Sequence, residues 1–118
     1  MTRLKAWVAA AAVSALMFSP PASAQTPSPE ASQIQDLTYC AGAIAALHGL
    51  NLLQPQNNPP GEWSTVLGAV LARLNREPGV EGMTGRIAAD DARLYWREQS
   101  RARQERQATA CRARFGDG

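Results

Sequence analysis

The sequence predicts an all-α protein: three helices in one domain, linked by one disulfide, with a long C-terminal helix that runs back along helix 1. Apolar residues recur at helical spacing in three segments. Clusters of proline and glycine at 54–61 and 77–85 separate those segments. No stretch of the chain alternates apolar and polar residues as a half-buried strand does, so we expect helices throughout.

The first 24 residues are predicted to be a cleaved signal peptide. Arg3 and Lys5 precede an apolar run over 6–18, which is too short to span a bilayer comfortably. Ala22-Ser23-Ala24 then supplies the small-x-small pattern of a cleavage site, so we expect cleavage after Ala24. The alternative is an uncleaved anchor. No cysteine follows the apolar run directly, which disfavours a lipoprotein.

Export would place the protein in an oxidising compartment, for which we predict the periplasm first and secretion second. The formal charge of +2 includes Arg3 and Lys5. Without the signal peptide, ten arginines balance ten acidic residues. A neutral exported domain is a poor nucleic-acid binder, and we expect no stable membrane insertion once the signal peptide is removed.

The predicted domain organisation is a disordered lead-in over 25–31 and a single helical domain over 32–115. Helix 1 could begin at Ser28-Pro29, a cap followed by proline, or at Ser32, which forms a capping box with Gln35. It is predicted to run to about Gln54. Its apolar stripe is Ile34, Leu37, Cys40/Ala41, Ile44 and Leu47.

Helix 2 is predicted from about Glu62 to Arg76, where Pro78 and Gly79 end it. It carries the clearest amphipathic pattern in the chain, formed by Trp63, Val66, Leu67, Val70, Leu71 and Leu74.

Helix 3 is predicted to be one long helix from near Thr84 to about Arg114, since no helix breaker lies inside it, but the sequence leaves open whether it is continuous. Its first half has a usable inward face of Ile87, Asp91, Leu94 and Tyr95, with Ala88 and Ala92 beside it. Its second half is almost entirely polar, with an inward edge of Ala102, Ala108, Cys111 and Phe115. From Met83 onward, eight arginines face five acidic residues, so this part of the chain is positively charged.

Cys40 and Cys111 are the only cysteines, and we predict that they form an intramolecular disulfide. Two free thiols or an intermolecular bridge are the alternatives. In a parallel bundle Cys111 would end roughly 40 Å from the middle of helix 1, whereas a disulfide needs Cα atoms within about 7 Å. We therefore expect helix 3 to run antiparallel to helix 1, with helix 2 packed across both.

No set of residues predicts catalysis, a metal site or a cofactor. His48 is the only histidine, and no sequence signature supplies a nucleophile or an orienting group for it. One histidine with two cysteines expected to be oxidised is a poor metal site. There is no CxxCH haem motif. We expect His48 at the core edge or on the surface, and Asp90-Asp91 opposite the positive end of the helix 3 dipole.

The arginine-rich part of helix 3 is the candidate for binding a partner. Arg93, Trp96, Arg97 and Arg101 form the possible contact set, with Trp96 as its exposed aromatic anchor. Such a face could meet an anionic partner. The alternative is a solvated face held by intrahelical pairs of Arg101 with Glu98 or Glu105.

The motif YCAG at Tyr39–Gly42 resembles the cysteine–glycine start of Tai-type immunity domains, in which that cysteine is disulfide-bonded to a later one. The resemblance covers these four residues and the run Leu71–Pro78, and Cys111 comes much later than that group would place its second cysteine. It does not assign the chain to the group. At the level of class alone, the chain is similar to small periplasmic acid-stress chaperones.

The function expected from these features is that of a small exported, non-enzymatic helical protein that binds another protein or an envelope component, in an accessory, immunity-like or chaperone-like role. One alternative is a binder of anionic envelope surfaces through helix 3. The other is an enzyme that uses His48. No cofactor is expected, and the sequence leaves the oligomeric state open.

Overall fold

The computed structural model describes residues 29–116. They form α1 (Pro29–His48), a 3-10 turn (Pro55–Asn57), α2 (Glu62–Leu74), α3 (Met83–Arg97) and α4 (Arg101–Phe115). These residues contain no strand, so the predicted all-α class is confirmed for the described part of the chain. The predicted signal peptide and residues 25–28 of the lead-in lie outside the described residues.

Helix α1 begins at Pro29, which is the earlier of the two predicted starts. Residues 29–31 are therefore helical rather than part of the lead-in, because the fixed φ of proline suits the first helical position. The helix ends at His48, six residues before the predicted end. Gly49 adopts a φ of +65°, and the Leu50 N–H donates to the Ala45 carbonyl at 3.0 Å. This left-handed glycine stops the helix.

Helix α1 is the centre of the domain, since α2, α3 and α4 all pack against it. Every residue from 41 to 45 is buried, so α1 is covered on all sides over this turn. Four of these five residues are alanine or glycine, so the surrounding helices come close to the α1 backbone.

Helix α2 packs antiparallel to α1 as the second arm of a hairpin. The rings of His48 and Trp63 stack at one end, with centroids 4.7 Å apart. Near the other end, Gln33 Nε2 donates to Glu77 Oε1 at 3.0 Å. The apolar face predicted for this helix is buried, with Trp63 as the half-buried exception. Its buried residues are Val66, Leu67, Val70, Leu71 and Leu74.

The prediction of one long helix 3 is wrong, because the chain breaks between Arg97 and Arg101 into α3 and α4. Ser100 caps α4 by accepting a hydrogen bond from the Arg103 N–H at 3.2 Å. The buried Gln104 side chain donates to the carbonyls of Trp96 at 2.7 Å and Gln99 at 3.2 Å. These contacts cap the start of α4 and the end of α3, so the described residues form four helices.

The predicted disulfide is confirmed: Cys40 and Cys111 are bonded, with Cα atoms 5.5 Å apart. Four residues earlier in α1, Asp36 Oδ2 accepts a hydrogen bond from Arg114 Nη1 at 2.8 Å. Residue numbers fall along α1, from Cys40 to Asp36, as they rise along α4, from Cys111 to Arg114. Helix α4 therefore lies antiparallel to α1. The C-terminal half of the predicted helix 3 therefore returns along α1 as expected.

Candidate partner-binding surface on α3

Helix α3 turns its smallest residues toward the domain. Gly85, Ala89 and Ala92 are buried together with Trp96. At the closest point, a Cβ placed on Gly42 of α1 would lie 2.7 Å from the backbone of Ala92 and Arg93. Because the backbones approach this closely at Gly42, no larger side chain fits between the two helices at that point.

Apart from Trp96, the large apolar residues of α3 consequently face solvent. Met83 is 47%, Ile87 50% and Leu94 48% exposed. We call these three residues the α3 ridge. At 100° per residue they fall within about 40° of one another on the helix. The prediction that Ile87, Leu94 and Tyr95 point inward is therefore wrong, and Asp91 beside them is exposed as well.

The two edges of the α3 ridge carry opposite charges. Arg86 and Arg93 lie along one edge, whereas Asp91 and Glu98 lie along the other. Arg93 Nε contacts Asp90 Oδ1 at 2.8 Å, and about a quarter of each side chain is exposed. The buried Nε of Arg86 has no hydrogen-bond acceptor within residues 29–116.

Leu53, in the segment that follows α1, lies beside the edge of the α3 ridge that carries Arg86 and Arg93. Leu53 is 39% exposed, and it lines a shallow cavity together with Asp90 and Arg93. The described part of the chain has six exposed large apolar residues. Four of them lie on α3 (Met83, Ile87, Leu94 and Tyr95), and Tyr39 stacks on Tyr95 at a centroid distance of 5.8 Å.

Trp96 is not the exposed anchor that the sequence predicts. Only 4% of the residue is exposed, and its ring meets those of Tyr39 and Tyr95 edge-on at 6.5 and 5.3 Å. The guanidinium of Arg103 covers the ring at 5.2 Å. Its position three residues after Arg93 and beside Arg97 predicted a cationic surface, but Trp96 shares the buried face of Ala89 and Ala92.

The other predicted contact residues do not form one continuous arginine surface. Arg93 is held by Asp90 beside the cavity, and Arg101 pairs with Glu105 at 3.2 Å. Arg97 is exposed and makes no ion pair with any described residue.

Two further arginines hold the domain together. Arg112 forms an ion pair with Glu62 and lies over the Trp63 ring at 5.3 Å, which ties α4 to α2. Arg114 pairs with Asp36 of α1. These two arginines therefore link helices, although the side chain of each remains about half exposed.

His48 lies at the exposed end of α1, stacked on Trp63 at an interplanar angle of 20°. Burial of one ring face lowers its pKa, and the charge of Arg101 lowers that pKa further. Within residues 29–116, His, Cys, Asp and Glu side chains form no group of three or more that could hold a metal ion. Over the same residues, none of the helices is both long and apolar enough to cross a membrane.

No protein-family profile, curated protein or solved structure matches the chain. The α3 ridge is accordingly defined by geometry alone. A signal that could have found it lies in α1, where Gly42 lets the backbone of a neighbouring helix approach closely. A helix that packs against Gly42 needs small residues of its own at that contact, which leaves Ile87 and Leu94 on the outside.

Proposed function

We propose that this is a small exported, non-enzymatic helical protein that binds another protein through the α3 ridge. The observation that carries the proposal is the reversed amphipathicity of α3. A helix whose half-exposed residues are Met, Ile and Leu loses the benefit of burying them unless a partner covers them. The disulfide supports the oxidising compartment, since such bonds persist outside the cytosol.

The surroundings of the ridge also favour a protein partner. Protein interfaces combine an apolar centre with charged residues at the rim. The α3 ridge has this arrangement, with arginines along one edge and carboxylates along the other. Tyr95 and Tyr39, stacked together and partly exposed, add aromatic surface of the kind that dominates binding energies.

Site-specific photo-crosslinking in cells that express the protein tests this proposal. A photo-reactive amino acid in place of Ile87 should give a covalent adduct after irradiation, because Ile87 lies at the centre of the ridge. The same amino acid in place of Thr109, which is exposed on α4, is the matched control and should give none. Absence of any adduct from Met83, Ile87 and Leu94 would contradict the proposal.

Binding of anionic envelope surfaces through the arginine-rich helices is a second candidate. Arg97, Arg101 and Arg106 favour it, because all three are exposed and only Arg101 forms an ion pair with a described residue. Sedimentation with vesicles that contain anionic phospholipid tests it. Binding should be present at low salt and lost at high salt, since exposed charges are screened. Equal retention by neutral vesicles would count against it.

A further inference from the structure

We propose that the α3 ridge is a self-association surface, on which α3 of a second copy of the chain docks parallel to the first around a two-fold axis along the helices. This inference rests on the proposed role of the ridge in protein binding and names its occupant. It is carried by the spacing of the ridge residues and by the order of charges along the two edges.

The ridge follows the pattern of a helix that packs against another helix. Met83, Ile87 and Leu94 are separated by four and seven residues, so they form one narrow line along α3. Asp90 and Arg97 complete the same line at alternate spacings of three and four. The line runs the full length of the helix from Met83 to Arg97.

The edge charges match those of a parallel partner. Arg86 and Arg93 come directly before Ile87 and Leu94, and Asp91 and Glu98 come four residues after them. In two parallel helices, an edge residue directly before an apolar position lies opposite the residue of the partner whose number is higher by five. Arg86 would therefore face Asp91 of the other copy, and Arg93 would face Glu98.

In an antiparallel pair the edge charges would repel, because each edge of α3 would lie against the same edge of the other copy. Arginine would then face arginine on one side and carboxylate would face carboxylate on the other. Neither Asp91 nor Glu98 forms an ion pair with a described residue, so both carboxylates are available to a second copy. The sequence of charges thus selects the parallel orientation.

The two polar residues within the line are compatible with this pairing. The carboxylate of Asp90 is already neutralised by Arg93 at 2.8 Å. That contact uses the Nε of Arg93 and leaves its terminal nitrogens for a second carboxylate. Arg97 is the last residue of α3, where its side chain can reach solvent. Both residues would lower the affinity and fix the register of the pair.

The contact is small. Three half-exposed apolar residues from each copy and four symmetry-related edge ion pairs fall at the low end of interface sizes, which is typical of weak association. Sedimentation equilibrium of the oxidised protein at concentrations up to about 1 mM is therefore the appropriate measurement. We expect a monomer–dimer equilibrium that Ile87→Asp weakens at least tenfold. Thr109→Asp, on exposed α4 surface, should leave it unchanged.

Charge exchange tests the orientation. Asp91→Arg and Arg86→Glu should each weaken the dimer, and the double variant should restore it, because each pair is rebuilt with its signs reversed. Thermal melts of each variant control for folding. Strengthening of the dimer by Asp91→Arg alone, or no recovery in the double variant, would overturn the parallel arrangement. A monomer at every concentration would overturn self-association.

The photo-crosslink from Ile87 separates this inference from the proposed function. An adduct of twice the monomer mass supports the second copy as the occupant. An adduct of another mass, together with a monomer in sedimentation, overturns self-association and leaves a different protein partner in place. No adduct at all contradicts both.

Discussion

Gly42 sets the distance between α1 and α3. Its missing side chain lets the backbone of α3 approach at Ala92 and Arg93, with no space for even one methyl group. A glycine inside a helix costs roughly 1 kcal/mol relative to alanine. Here that cost is offset by tight contact of two helices along faces of alanine and glycine. The sequence alone does not indicate which helix makes this contact.

Gly42→Ala should destabilise the protein by about 1–3 kcal/mol, because the new Cβ meets backbone atoms that cannot rotate away. Gly68→Ala is the matched control: Gly68 lies inside α2, and a Cβ added there would have no neighbouring atom within 4 Å. That change should stabilise by about 0.5–1 kcal/mol through helix propensity. Urea unfolding measures both, and equal effects of the two changes would contradict the role assigned to Gly42.

At the scale of elements, the sequence predicts the amphipathic α2 well and the two halves of helix 3 poorly. In α2 the apolar residues are also the buried ones, since its partners on α1 leave room for Val and Leu. In α3 the tightness of the α1 contact reverses the pattern, so Ala89 is buried and Ile87 exposed. Periodicity locates a helix and its faces, whereas the neighbour decides which face is buried.

The break between α3 and α4 contains no proline or glycine, the residues that usually interrupt a helix. Hydrogen bonds from side chains cap the two helix ends instead. Ser100 and Gln104 supply the hydrogen bonds that a continuous helix would make through its backbone. Ser at this position was a detectable signal, because Ser favours the start of a helix over its interior. The long polar segment around it offered no apolar pattern by which to recognise a change of direction.

Ser100→Ala should lower the free energy of unfolding by about 1 kcal/mol, because the Arg103 N–H loses its acceptor at the start of α4. Thr109→Ala, at an exposed site in the same helix, serves as the control and should be neutral or slightly stabilising. Thermal unfolding followed by circular dichroism compares the two variants. A loss of similar size in both would argue against the cap.

At the scale of the whole molecule, the disulfide and the arginine contacts fasten α4 to the rest of the domain. Helix α4 buries only Gln104, Ala108, Cys111 and Phe115, which is little apolar surface for a helix of 15 residues. Its position relies mainly on the bond to Cys40, because the ion pairs that reach α1 and α2 are about half exposed and such pairs contribute little stability. The antiparallel return of α4 agrees with the expectation drawn from the Cys40–Cys111 bond, although the single long helix on which that expectation relied is broken in two.

Replacing both Cys40 and Cys111 by alanine should remove about 4 kcal/mol of stability, since the bond closes a loop between residues 71 apart in sequence. A domain of this size is stabilised by roughly 5–15 kcal/mol, so α4 should detach or the fold should be lost at moderate urea concentration. Urea titrations of the oxidised, reduced and double-alanine proteins check this. A difference below about 1 kcal/mol would contradict the assigned role.

The positions of the two cysteines in the sequence also determine when the disulfide can form during synthesis. A chain leaves the ribosome with its amino end first. Cys40 therefore emerges before its partner, and it stays unpaired while the chain between two cysteines 71 residues apart follows. The bond can form only after α1, α2 and α3 have left the ribosome. A product truncated before Cys111 keeps an unpaired thiol in α1 and lacks the covalent link to α4.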